Sequence, residues 1–201
     1  MTSVTGVLLA AGGSTRMGRP KQLLELEGVS LVRRAARALC DAGVSQCLVV
    51  CGAEGEAVAA ELESLDAEAV FCEGWQAGLS ASIRCGVRAA ADLSPEPSAV
   101  LLTLGDQPEA DAALLERLVH AHTHEGRELV ATVYAGTLGA PALFGRPHFE
   151  ALGALEGDSG CKPVLLANRE AVLEISFPGG ERDLDTPEDW CAYEAGLKPR
   201  S

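Results

Sequence analysis

The chain has 201 residues, of which 47% are hydrophobic, enough apolar material for one sizeable core, and residues 1–201 are expected to form a single domain. Its formal net charge of −13 excludes a broad nucleic-acid surface, where clustered Lys and Arg must offset phosphates. No apolar run approaches the ~18 residues of a membrane span and no charged-then-apolar leader opens the chain, so no membrane is expected and the cytoplasm is the expected location.

Residues 4–10 form an apolar run that reads as a buried strand, and the text then changes abruptly to LAAGGSTRMGRPK, Leu9 to Lys21. Gly12, Gly13 and Gly18 allow a tight turn with its amides unobstructed, and Arg16 and Lys21 add two cations. Together they suit an anion, best a polyphosphate. A Walker loop would place Lys-Ser/Thr after Gly18, where Arg19 and Pro20 stand instead. The dinucleotide fingerprint fails as well, because Gly12 and Gly13 are adjacent. An ordinary surface turn is the competing reading of the loop.

A brief apolar stretch over 22–26 leads to a helix over 31–42, capped by Ser30 and ended by Gly43. Next come a strand over 47–52, a helix over 54–65 and a short strand over 69–71. This alternation predicts βαβ units and a mostly parallel sheet. Gly74 to Ile83 opens another helix; Ser80 or Ser82 would cap or line its start, and Gly78 permits close approach of a backbone or ligand. Residues 99–104, AVLLTL, are the clearest strand and run straight into Gly105-Asp106-Gln107-Pro108. A carboxylate at the C-terminal end of a central parallel strand faces the crevice where such sheets bind ligands, so Asp106 is the first candidate for a Mg²⁺ ligand. A plain turn before a helix capped by Asp111 would also explain it.

His120, His122 and His124 carry no HExxH pattern and read as surface residues. Strands are expected over 128–134 and 171–177. Asp158, in Gly157-Asp158-Ser159-Gly160-Cys161-Lys162, fits either a turn or a functional loop. Near the C-terminus Thr186 suits an N-cap and Pro187 a first helical position, with Glu188 and Asp189 favouring the helix terminus. Asp183 and Asp185 are acids this capping does not require. The seven cysteines, an odd number without a Cys-x-x-Cys pair, suit reduced thiols, most of them small core residues.

The loop LAAGGSTRMGRPK closely resembles the signature of nucleotidyltransferases that share a Rossmann-like fold, most of all the molybdenum cofactor cytidylyltransferase branch. That branch sits beside the molybdopterin-guanine-dinucleotide-synthase-like enzymes. Gly-Leu-x-x-Ser-Ile from Gly78, Gly105-Asp106-Gln107-Pro108, Gly139-Ala140-Pro141 and the acids before Thr186-Pro187 follow in the family's order. The resemblance implies an α/β three-layer fold and an Mg²⁺-dependent transfer of CMP from CTP to the phosphate of molybdopterin. It implies nucleotide contacts from Leu9, Ala10, Ala11, Gly12, Gly13, Ser14, Arg16, Lys21, Gly78, Ser82 and Asp106, with Lys21, Arg16 and Asp106 catalytic. Metal ligands would be Asp106 and Asp185. The acceptor would meet Gln107, Pro141, Asp158 and Lys162, although Ala140, Cys161 and Lys162 depart from the family's usual residues. Ala11 favours CTP over GTP, and a molybdoenzyme or its chaperone is the implied recipient. The alternatives are a guanylyltransferase or another small-phosphate nucleotidyltransferase, a non-catalytic molybdenum cofactor carrier, and an oxidoreductase.

Overall fold

The computed structural model describes residues 2–14, 17–182, 184 and 186–197. Strand β1 (Val4–Ala10) is buried along its whole length, which is why its apolar run does not alternate. A small hairpin, β2 (Glu25–Leu26) and β3 (Val29–Ser30), leads into α1 (Leu31–Asp41). Ser30 caps that helix as its position predicts, its hydroxyl accepting from the Arg33 amide at 3.3 Å. There follow β4 (Gln46–Cys51), α2 (Gly55–Ala60), β5 (Glu68–Phe71), α3 (Leu79–Ala91) and β6 (Ala99–Leu104). The second half comprises α4 (Ala112–Thr123), β7 (Leu129–Tyr134), β8 (Thr137–Gly145), α5 (Phe149–Gly153), α6 (Lys162–Ala167), β9 (Leu173–Ser176) and α7 (Pro187–Leu197).

Seven strands form one sheet in the order β5-β4-β1-β6-β8-β7-β9. All neighbours pair in parallel except β8, which is antiparallel to both β6 and β7. Alternate side chains of β1 feed opposite faces, as the pleat requires. Leu8 packs with Val32, Ala36 and Leu39 of α1 and Leu115 and Leu118 of α4. Val7 and Leu9 pack on the other face with Ile83 and Val87 of α3 and Leu165 of α6. The result is the three-layer, mostly parallel architecture that the alternation of elements predicts. Two glycines let the helices sit close: a Cβ on Gly6 would lie 2.6 Å from Leu39 Cγ, and one on Gly86 would lie 2.4 Å from Val7 Cγ1. Because β4 and β6 flank β1 on opposite sides, the chain reverses direction there, and the C-terminal ends of β1 and β6 open a crevice.

Two elements depart from the sequence reading. Helix α2 stops at Ala60 rather than near residue 65. Glu54 before it makes no side-chain cap, and the guanidinium of Arg33 takes the Glu61 carbonyl, which a helix reaching residue 65 would have used, together with that of Glu63. The segment around Pro141, to which no element was assigned, is the long buried strand β8. It tolerates Pro141 because the β7 pairing steps from Ala131↔Ala142 to Thr132↔Gly139 and skips that residue, while the β6 pairing ends at Ala142.

Candidate active site

The crevice between β1 and β6 widens into a cleft of about 410 Å³. Its floor is the chain leaving β1: Leu9, Ala10, Ala11, Gly12, Gly13 and Ser14. Gly12 and Gly13 are exposed, whereas Ala10 and Ala11 are buried to 2%. The Ala11 carbonyl accepts from the Ala53 amide at 3.1 Å, which ties the loop to the end of β4. Glycine is required next to it, since a Cβ on Gly52 would lie 2.6 Å from that carbonyl oxygen. One wall is Trp75, whose ring would meet a Cβ on Gly13 at 3.1 Å, followed by Gln76, Gly78, Leu79 and Ser82 at the start of α3.

The opposite wall is the exit of β6. Lys21 Nζ lies 2.5 Å from Asp106 Oδ2, and both side chains are 18% exposed. The second oxygen, Oδ1, is buried and has no hydrogen-bond partner among the described residues. A carboxylate with one oxygen on an ammonium and the other buried and unmatched fits a hard divalent cation, which takes oxygen donors and few protein carboxylates. No group of three or more His, Cys, Asp or Glu side chains suited to a metal occurs among the described residues.

Gly78 has φ +100, and a Cβ there would lie 2.5 Å from Asp158 Oδ1 and 2.6 Å from the Gly157 carbonyl. The 157–158 turn therefore presses directly on the start of α3. Ser80 fixes it, its hydroxyl donating to the Gly157 carbonyl at 2.6 Å and its amide donating to the same oxygen at 3.2 Å. Asp158 thus lines the same cleft as the loop that leaves β1.

Of the residues singled out in the sequence, Leu9 to Ser14, Lys21, Gly78, Ser82, Asp106 and Asp158 all line one cleft. Arg16 and Asp185 lie outside the described residues. Lys162 lines an adjoining cavity of about 190 Å³, which shares Leu9, Leu79 and Leu104 with the cleft and is otherwise walled by Ile83, Leu102, Tyr134, Leu138 and Cys161 among others. Burial pushes the Cys161 thiol up to about 12, so it is a neutral wall at physiological pH. Gln107 does not reach the cleft. Its side chain is 4% exposed, lines a separate groove between α1 and α4, and donates to the Gly180 carbonyl at 3.4 Å. Pro141 is buried within β8 and lines neither cavity.

The surface reading of the histidines fails for His122, which is 3% exposed and held by Ser98 Oγ at 3.0 Å and the Arg127 carbonyl at 2.7 Å. His120 and His124 stack with centroids 4.4 Å apart. Thr186 caps α7 as expected, and Asp189 completes a reciprocal capping box with it. The residue that sequence reasoning missed is Gln22. Its side chain is 3% exposed and its Nε2 donates to the carbonyls of Ala10 at 3.0 Å and Gly12 at 2.5 Å. Within an apolar stretch it had only its polarity to mark it.

The chain is similar to several known proteins. Nicotine blue oxidoreductase of Paenarthrobacter nicotinovorans is 30% identical, with 92% of this chain and 93% of that protein covered. Purine catabolism protein PucB of Bacillus subtilis (strain 168) is 28% identical over 92% of this chain and 93% of its own. Rv0371c of Mycobacterium tuberculosis H37Rv superposes with a TM-score of 0.84 at 31% identity, covering 96% of this chain and 98% of that one. It has also been solved in complex with manganese, with a TM-score of 0.79 at 30% identity and the same coverage. Residues 6–172, which carry the loop, the Lys21–Asp106 pair and the Gly78 turn alike, match the model of the MobA-like NTP transferase domain, and the chain belongs to that family of nucleotidyltransferases with a Rossmann-like fold.

Proposed function

We propose that this protein transfers CMP from CTP to the terminal phosphate of molybdopterin, with Mg²⁺, releasing pyrophosphate. The observation that carries the reading is the Lys21–Asp106 pair beside the exit of β6, in a cleft floored by the glycine loop, with Asp106 Oδ1 buried and unmatched among the described residues. Asp106, joined by Asp185 from outside the described residues, would hold the Mg²⁺, which when bound neutralises phosphate charge. The acceptor phosphate has a second pKa near ~6 and is already anionic at neutral pH, so its oxygen attacks the α-phosphorus without a general base. The α–β phosphoanhydride bond breaks and pyrophosphate leaves. Lys21 offsets charge at the α-phosphate and Arg16 at the departing phosphates, so positioning and electrostatics carry the rate. The buried Ala11 supports cytosine as the base, by its resemblance to the Leu-Ala-Ala-Gly version of the loop. The adjoining apolar cavity with Lys162 at its lining suits the body of a phosphate ester that enters beside the nucleotide.

The test is incubation with Mg²⁺, molybdopterin and either CTP or GTP, following pyrophosphate and the dinucleotide product. CTP is expected to support both. Product from GTP alone would replace cytidine by guanosine, and none from either nucleotide would overturn the assignment.

A further inference from the structure

We infer that Gln22 is a positioning residue, which holds the loop from Ala10 to Ser14 in the shape that receives the triphosphate. The inference rests on the nucleotide reading of the cleft. Both hydrogens of the Gln22 amide are spent inside the protein, on the carbonyls of Ala10 and Gly12. Its Oε1 accepts from the Ser14 hydroxyl at 3.1 Å, and Ser14 Oγ in turn accepts from the Lys21 amide at 3.0 Å. One buried side chain therefore joins the start of the loop, its middle and the backbone of the residue whose ammonium meets Asp106. Such a closed network is rigid because every bond in it supports another.

The chemistry explains why an amide stands there. Backbone carbonyls are the groups of a phosphate loop that repel an anion, and Gln22 occupies two of them with donors. It also accounts for Ser14, which sits at φ +50 and whose hydroxyl is turned inward to Gln22 rather than left for the ligand. Because its own polar atoms are committed to the loop, Gln22 acts through the loop and not by touching phosphate.

A carboxylate of the same shape reverses the pattern. In Gln22→Glu the charged form places oxygen against two carbonyl oxygens, and only the protonated form donates, to one of them. In Gln22→Leu all three bonds are lost. The experiment is calorimetric titration of CTP with Mg²⁺ into the native chain and both variants, at pH 8 and pH 6. Gln22→Leu is expected to bind ~10-fold more weakly or worse at both pH values, the scale of unmatched buried carbonyls. Gln22→Glu is expected to lose several-fold more, relative to the native chain, at pH 8 than at pH 6. Variants within twofold of the native chain would overturn the positioning role. So would a Gln22→Glu deficit that does not change with pH, since a residue that only fills space has no such signature, and this arm stands even where Gln22→Leu folds poorly. A native chain that binds neither CTP nor GTP would instead overturn the reading of the cleft, and the role of Gln22 with it.

Discussion

Lys21 and Asp106 are partly shielded from water and committed to each other at 2.5 Å, so removing either exposes what the other was doing. Asp106→Ala is expected to abolish Mg²⁺-dependent turnover with little loss of melting temperature, because the carboxylate has a buried oxygen with no partner among the described residues. Retained turnover in a folded Asp106→Ala protein would remove Asp106 from the reaction. Lys21→Ala is expected to cost roughly 2 to 4 kcal/mol in kcat/KM, the scale of one preorganised donor at developing charge. A change within twofold would place Lys21 outside the chemistry. Asp106 was legible in the sequence because it stands just after an unmistakable buried strand, and Lys21 because it is a cation closing the glycine loop that leaves another. Gln22 was not legible, because its meaning depends on a three-dimensional turn that carries it back beneath Ala10 and Gly12. Gln107 neighbours Asp106 in sequence, yet its side chain lies toward α4 and the Gly180 carbonyl, a direction that only the tertiary fold reveals.

Among the elements, α1 and the turn before α3 hold the site's surroundings in place. Ser30 both caps α1 and donates to Glu61 at 2.7 Å, so Ser30→Ala should lower stability by about 1 kcal/mol, seen as a drop of roughly 2–4 °C in melting temperature for a chain of this size. An unchanged melting temperature would show that the cap contributes nothing. Gly78→Ala meets a harder obstacle, a left-handed φ together with the Asp158 carboxylate and the Gly157 carbonyl. It should weaken CTP binding by pushing the 157–158 turn off α3, beyond the 0.4–1 kcal/mol a tolerated Gly→Ala change moves stability. Native-like binding by that variant would separate the turn from the nucleotide. Where one local signal dominated, as with the Ser30 and Asp111 caps or the AVLLTL strand, the element was legible to within a residue or so. Where a tertiary contact decided the outcome, it was not. Arg33 ends α2 from another helix, and β8 carries a proline that only its neighbours' register makes acceptable.

At the scale of the whole molecule, the proposed reading has a chain of net charge −13 receive a polyanion, with Lys21, and in sequence Arg16, beside a glycine loop at the crevice where its sheet order reverses. Occupancy of this crevice by a nucleoside triphosphate is the central claim. Thermal denaturation with CTP, GTP, ATP and UTP, each with and without Mg²⁺, measures it most directly. A ligand at ~100 times its Kd adds about 2.7 kcal/mol of stability, a rise of roughly 5–10 °C for a chain of this size. CTP with Mg²⁺ is expected to give the largest rise, and to lose most of it in Asp106→Ala. A melting temperature that none of the four nucleotides moves, with Mg²⁺ present, would contradict the account.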